Sequence, residues 1–466
     1  MKSIKRFVSI LPAFALSMLL SGCANQLHTP TLTGSPSANA GNFSKVVFAG
    51  DSLSAGFQSG SLLDSQQPNG WNVLFAKQVG ASVSQPLIAY PGAPAVLQLT
   101  ALTPLPVVTS VAGTSSGRDN PTIQPTDIAV PGAFLSDLLY TQPLLVPQTG
   151  QQTMNYLVLG FPGIDQGVQY SQIQWAAQLN PTTLFVWIGN NDALIADETG
   201  NPANMTPVAT FTTEYQYMMS LLAANTRANL VLINIPDVTT VPYLTPAATV
   251  LAEAATQSGL STTALSTLLG IQAKSGTYAG DLVNPTGLAE VSAILAQQRS
   301  GPVGTEGFLS ASEVTTVQAT VTQYNSAIAA IAKTYTATVV DFHTTLASLI
   351  TAPPTINGVT LSTGFLGGMF SLDGIHPTNT GYAIVANAVI TQLNTATTAT
   401  NPGLGLSIPV ISSTALSAIA AADPLFPPNL KVGALTGAHH IPAAAGEHIA
   451  WLLNPAKKAS GIERIR

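Results

Sequence analysis

The chain holds a single cysteine, Cys23, among 466 residues. An intramolecular disulfide is therefore excluded in any compartment, and packing and hydrogen bonds must hold the fold. Charge is equally scarce: 15 Lys and Arg and 21 Asp and Glu amount to 8% of the residues. Ser, Thr, Asn and Gln cover much of the surface instead, and no basic patch exists for nucleic acid. The apolar run from Phe7 to Leu20 falls short of the ~20 residues that span a bilayer. His439, His440 and His448 have no carboxylate or cysteine cluster at zinc-like spacing beside them, so they read as surface histidines and not as a metal site.

What is present begins with Lys2, Lys5 and Arg6 ahead of that apolar run and Leu20-Ser21-Gly22-Cys23 behind it. A basic start before a short apolar core reads as a signal peptide over residues 1–22. The Leu-Ser-Gly-Cys ending resembles the bacterial lipobox. That resemblance implies lipid on Cys23 as the mature N-terminus and a chain anchored to the bacterial cell envelope, facing the periplasm or the exterior. Ala24 in place of an aspartate favours the outer membrane if the organism is Gram-negative. Residues 23–43, rich in Thr, Ser, Pro, Gly and Asn, read as a flexible tether. Removing residues 1–22 takes away three positive charges, leaving a net charge of −9 against −6 for the whole chain.

The chemistry is organised around Val46-Val47-Phe48-Ala49-Gly50-Asp51-Ser52-Leu53. The apolar run predicts a buried strand, and the turn residues after it place Ser52 at the strand's carboxyl end, where open α/β sheets keep their sites. A serine hydroxyl becomes a nucleophile only with a base in hydrogen-bond reach and a third group orienting that base. Asp373-Gly374-Ile375-His376 offers both, because a spacing of three lets the carboxylate meet Nδ1 while Nε2 faces outward. Val130-Pro131-Gly132-Ala133 can present a backbone N–H at Gly132. Phe185-Val186-Trp187-Ile188-Gly189-Asn190-Asn191-Asp192 ends a further strand in asparagine amides able to face a developing oxyanion.

These four pieces, in this order, resemble the signature blocks of the SGNH/GDSL hydrolases, a family of serine esterases and lipases. Gly50-Asp51-Ser52-Leu53 matches the first block, Gly132 the second, Gly189-Asn190-Asn191-Asp192 the third and Asp373-Gly374-Ile375-His376 the fifth. The resemblance implies Ser52, Asp373 and His376 as a catalytic triad, and the Ser52 N–H, Gly132 and Asn191 as the oxyanion hole. It also implies a three-layer α/β/α flavodoxin-like sandwich with a parallel sheet, and no cofactor or metal. Asp127 stands where members of the family often carry Asn. His343, the rival base, lacks an aspartate three residues earlier and reads as structural.

The resemblance spans residues 44–394. Helical patterns over 70–77, 172–179, 211–224, 312–334 and 378–393, with strands over 155–159, 183–188, 229–236 and 338–341, alternate as a wound parallel sheet requires. Residues 81–126 read as an irregular insertion. Within it Gly113-Thr114-Ser115-Ser116-Gly117 has the form of a nucleophile elbow but is followed by Arg118-Asp119-Asn120-Pro121, which cannot start a helix, so it reads as a polar loop. Residues 243–311, with three helical patches, read as a second insertion, either a helical cap over the site or a structural excursion. Residues 395–466 read as a C-terminal extension of low charge. Three functions remain open: a tethered esterase or lipase acting on a small-molecule or lipid ester, a carbohydrate O-acetyl esterase using the same residues, and a non-catalytic envelope protein that keeps the fold for binding.

Overall fold

The computed structural model describes residues 41–102, 106–160, 169–274, 276–395 and 404–433. The signal-peptide segment, Cys23, most of the tether, the three C-terminal histidines and the basic end lie outside the described residues. Because residues 46–50 are apolar on both sides of the pleat, they are stable only as a strand covered on both faces. They form β1 (Val46–Gly50), wholly buried. Beside it run β2 (Thr183–Trp187), β3 (Asn229–Ile233) and β4 (Thr338–Val340), each parallel to its neighbour. Val46 lies opposite Thr183, and Thr183 opposite Asn229.

On the other side of β1, residues 126–130 follow it in parallel. Phe48 N donates to Thr126 O (2.9 Å), Ile128 N to Phe48 O (2.8 Å) and Val130 N to Gly50 O (3.0 Å). Counting this edge, the segments lie in the spatial order second, first, third, fourth, fifth. That is the flavodoxin-like winding, whose topological switch point falls beside the first strand, between β1 and β2.

Helices cover both faces. On one, α1 (Trp71–Val79) packs against α6 (Asn379–Asn394). On the other, α4 (Val208–Asn225) packs against α2 (Gln172–Leu179) and α5 (Ala311–Thr334). Between α2 and α4, α3 (Asn190–Thr199) leaves the carboxyl end of β2. Local signals fix the helix starts. Ser310 and Glu313 exchange bonds at the head of α5, Ser310 N donating to Glu313 Oε2 (2.8 Å) and Glu313 N to Ser310 Oγ (3.4 Å). The strand expected over 155–159 is instead the end of a helix, Gly150–Leu159. Thr149 caps it by accepting from Gln152 N, and Met154, Leu157 and Val158 bury a stripe at helical spacing, so tertiary packing overrides the β-like local composition.

The insertion at 243–311 has its own small core. Three short strands, Thr245–Pro246, Leu282–Val283 and Phe308–Leu309, pair with one another, while Leu251, Leu265, Leu269 and Val291 pack beneath them. It is fastened to the end of α3: Asn284 Nδ2 donates to Asp197 O (2.9 Å) and Lys274 Nζ to Gly200 O (2.7 Å). The Gly113–Gly117 stretch is a loop, with Ser115 Oγ donating to Ala89 O (2.7 Å).

Residues 404–433 are built into the main core. Asn394 and Asn387 on α6 each bond the tail's backbone in both directions, to Ile408 (2.8 and 2.8 Å) and to Ile411 (2.7 and 3.1 Å). Asp423 Oδ2 then accepts from Thr380 N (2.8 Å) and Thr380 Oγ1 (2.7 Å) at the first turn of α6, where a negative group is favoured. Phe426, 2% exposed, belongs to the main apolar cluster. Phe426→Ala is therefore expected to destabilise the whole domain by about 3–5 kcal/mol. Urea unfolding followed by tryptophan fluorescence checks this, and an unchanged midpoint would make the tail a detachable appendage.

Candidate active site

Two strand ends meet at the switch point. After β1 the chain turns sharply at Gly50, whose φ of 143° places an added Cβ 2.0 Å from Trp187 O, so glycine is required. The turn brings Asp51 and Ser52 to the carboxyl end of the sheet, opposite Gly189 and Asn190 at the end of β2. Asn190 Nδ2 donates to Asp51 Oδ2 (2.8 Å), tying the two strand ends together. Asn191, one residue on, donates from Nδ2 to Ala133 O (2.8 Å). A side-chain amide has two N–H groups, so this bond fixes the amide plane and leaves the second donor to the cleft.

The loop before α6 supplies the other half. His376 Nε2 lies 2.7 Å from Ser52 Oγ, and His376 Nδ1 lies 2.9 Å from Asp373 Oδ2. Asp373 is buried yet richly bonded. Oδ1 accepts from Ile375 N and His376 N (both 2.9 Å) and from Ser371 Oγ (3.2 Å), and Oδ2 accepts from Gly60 N (2.8 Å). Burial by itself raises this carboxyl; the facing His376 charge and these donors outweigh it and hold the carboxyl below its ordinary value. Gly374 allows the tight turn, with φ of 72° and Tyr243 N 2.8 Å from where a Cβ would stand. Tyr243 N donates to Gly374 O (2.9 Å), so the start of the 243–311 segment braces the loop from outside.

Ser52, Gly132, Asn191 and His376 share the walls of one small cleft with Phe57, Pro131 and Leu194. It measures about 230 Å³ including its open mouth. Among the described residues the Ser52 N–H has no hydrogen-bond acceptor. The hydroxyl–imidazole–carboxylate chain can move a proton from Ser52 toward His376, and the surrounding donors can receive negative charge on an adjacent oxygen. The five site residues expected from the sequence, Ser52, Gly132, Asn191, Asp373 and His376, are thus brought together, while Asn190 bonds Asp51. His343 is elsewhere, its Nδ1 3.1 Å from Ile235 O. No residue of 243–311 is among those lining the cleft.

Sequence reasoning missed the groups that hold the machinery. Phe57 sets its ring 4.8 Å from the His376 ring. Ser59 N donates to Ser371 Oγ (2.7 Å). These contacts join segments over three hundred residues apart and leave no local pattern. Among the described residues no group of three or more His, Cys, Asp or Glu side chains is placed to hold a metal ion.

Two carboxyls near the strand ends are raised by burial. Asp51 is pushed up to about 7, chiefly by desolvation, with Asn190 and the Leu53 N–H opposing. Asp127 is also pushed up to about 7 by desolvation, despite bonds from Gln85 Nε2 (3.2 Å) and Asn72 Nδ2 (2.8 Å). Asp127 bonds these amides and not Asp51, so the residue standing in for Asn leaves the Asp51–Asn190 contact untouched. Between about pH 4 and pH 7 the folded chain keeps protons on both groups that the unfolded chain has released, so stability falls as pH rises through that window. Asp127→Asn removes one such proton. The variant should gain on the parent by up to roughly 4 kcal/mol between pH 4 and pH 8, at about 1.4 kcal/mol for each pKa unit. Denaturant titrations across that range test it, and parallel pH profiles for the two proteins would refute it.

No curated protein matches the chain in sequence. Solved structures similar to it include an alpha/beta hydrolase enzyme from the metagenome of Lake Arreo (12% identity, 75% of this chain and 94% of that chain, TM-score 0.32). A mutant of an acetyl-xylooligosaccharide esterase from Geobacillus Stearmophilus is similar at 11% identity, covering 75% of this chain and 94% of that chain, with a TM-score of 0.32. Phospholipase A1 from Streptomyces albidoflavus is similar at 14% identity, covering 75% of this chain and 99% of that chain, with a TM-score of 0.32. The family model described as GDSL-like Lipase/Acylhydrolase matches residues 46–389, from the first residue of β1 into α6. That span encloses Ser52, Gly132, Asn191, Asp373 and His376 in the order of the family's blocks, and the chain belongs to the GDSL-like lipase/acylhydrolase family.

Proposed function

We propose that the protein is a serine hydrolase of carboxylic esters, and that Ser52, His376 and Asp373 are its catalytic triad. The observation that carries the reading is the unbroken chain from Ser52 Oγ to His376 Nε2 (2.7 Å) and from His376 Nδ1 to Asp373 Oδ2 (2.9 Å). His376 takes the Ser52 proton as Oγ attacks the ester carbonyl, and the proton then passes to the departing alcohol. Asp373 holds the imidazole in the tautomer that accepts at Nε2 and stabilises the imidazolium. The tetrahedral oxyanion is received by the Ser52 N–H, Gly132 and the second N–H of Asn191. Water then repeats the cycle on the acyl-enzyme, with His376 as base. No metal or cofactor takes part in this reading.

The lipobox-like Leu20-Ser21-Gly22-Cys23 supports a second part of the proposal, that Cys23 carries the lipid that anchors the protein in the bacterial envelope. Stable anchoring takes two or more acyl chains. Mass spectrometry of the N-terminal peptide of the membrane-derived protein tests it: a peptide with no lipid on Cys23 would overturn the anchor.

The carbohydrate O-acetyl esterase reading is favoured by one observation. The closed-in space of the cleft beside Ser52 is about 10 Å³, roughly the room that one water needs. Phe57, Pro131 and Leu194 crowd Ser52 and favour a short acyl group. A panel of acetyl, butyryl, octanoyl and palmitoyl chromogenic esters, run beside acetylated sugars, decides among the readings. Ser52→Ala should lower kcat by at least about a thousandfold on every substrate that is turned over. Asn191→Ala should cost roughly a hundred- to a thousandfold in kcat with KM little changed. Absence of turnover by the folded parent would leave the non-catalytic envelope protein as the reading.

A further inference from the structure

Large apolar side chains exposed on this molecule are mostly isolated, which is normal for a protein surface. One group is not. Leu144, Leu145 and Val146 are 42%, 57% and 67% exposed, and they are the only such residues adjacent in sequence among the described ones. Tyr140 (57%), four residues before Leu144 in the chain, is exposed as well, with Tyr217 (45%) stacked on its ring at 6.4 Å. A run of three exposed apolar residues carries a solvation cost that a merely connecting loop avoids.

The loop is built and not slack. Pro143 and Pro147 bracket it. Gln148 N donates to Gln152 Oε1 (2.7 Å), Gln148 Nε2 to Val146 O (3.2 Å) and Gln142 Nε2 to Gln174 Oε1 (3.1 Å). It also stands at the cleft's end of the molecule. The helix leaving it begins at Gly150, and Gln151 Nε2 donates to Pro131 O (3.0 Å), beside the Pro131–Gly132 wall. Gln172 of α2, two residues from the loop's Gln174 contact, accepts from Gly50 N (2.8 Å).

Charge decides the kind of partner. No Lys or Arg occurs between Arg118 and Arg227, while Asp137 and Glu214 lie on the elements that carry the two tyrosines. An anionic partner would be repelled. An uncharged apolar surface accepts three aliphatic side chains, and tyrosines suit its boundary with water, one end of the ring apolar and the other wet. We propose that Tyr140, Leu144, Leu145, Val146 and Tyr217 form a docking surface for a neutral, zwitterionic lipid bilayer, seating the mouth of the cleft at the lipid–water boundary. The surface adheres whether or not lipid is the substrate, and it acts independently of the anchor proposed at Cys23.

The test uses the chain from residue 24 onward, which lacks both the apolar segment and Cys23 and keeps every described residue, with phosphatidylcholine vesicles as the probe. Co-sedimentation should be seen for this chain and for Ser52→Ala alike, so that a failure of the esterase reading leaves the result interpretable. The triple variant Leu144→Ser, Leu145→Ser, Val146→Ser should bind at least about tenfold more weakly, by loss of apolar burial. It should retain the parent's rate on whichever soluble short-chain ester the parent hydrolyses, and its thermal unfolding should be unchanged. Binding should vary little between about 50 and 500 mM salt, since no charge attraction drives it. Equal vesicle binding by the triple variant, or no binding by the parent, overturns the proposal. So does a parent that self-associates in light scattering through these residues, which would make the occupant a second copy of the chain.

Discussion

A buried negative charge at Asp373 is the constraint around which this molecule is arranged. A carboxylate removed from water is tolerated only where donors replace the water. Here they come from two distant stretches, Gly60 on the loop after Ser52 and Ser371, Ile375 and His376 on the loop before α6. Meeting those demands brings the two loops together and delivers His376 to Ser52. Asp51, just past the end of β1, and Asp127, opposite Phe48 on the edge segment, have fewer donors and are pushed up to about 7. Three buried aspartates thus differ according to what faces them, and the one held low is the one that meets both the His376 charge and the most donors.

Much of this was legible in the sequence because it was written in short stretches. The apolar run ending at Ser52, the asparagines after Trp187 and the Asp373–His376 spacing each encode a local conformation that holds in the fold. The parallel sheet was legible for the same reason: β1 to β4 are apolar on both sides. What was hidden is what acts at long range. The edge segment 126–130 contains Asp127 and has little strand character of its own; its pairing to β1 makes it part of the sheet. Residues 155–159 look like a strand until the Thr149 cap and a buried helical stripe take precedence. Asn387 and Asn394, ordinary helix-surface residues on paper, are what fix the tail to α6.

The two additions to the wound sheet serve the site differently. The 243–311 segment has a separate apolar cluster and grips α3 at the end remote from Asn191, while its first residues brace Gly374. The tail reaches the other flank of the same loop, because the helix whose first turn Asp423 caps begins three residues after His376. Both therefore bear on the position of the imidazole without lining the cleft.

The spacing of these parts along the chain has a consequence in time. Ser52 and His376 are 324 positions apart, and the domain's last core residue, Phe426, follows Ser52 by 374. At the usual pace of synthesis of 5–20 residues per second, roughly 20 to 75 s pass between the ribosome's release of one and of the other. Until His376 emerges the nascent chain has no partner for the Ser52 hydroxyl, and until Asp423 emerges it has no cap for α6. Its slow, non-local contacts cannot close early. A polypeptide so arranged brings Ser52 and His376 together late, once the stretch from one to the other is out of the ribosome.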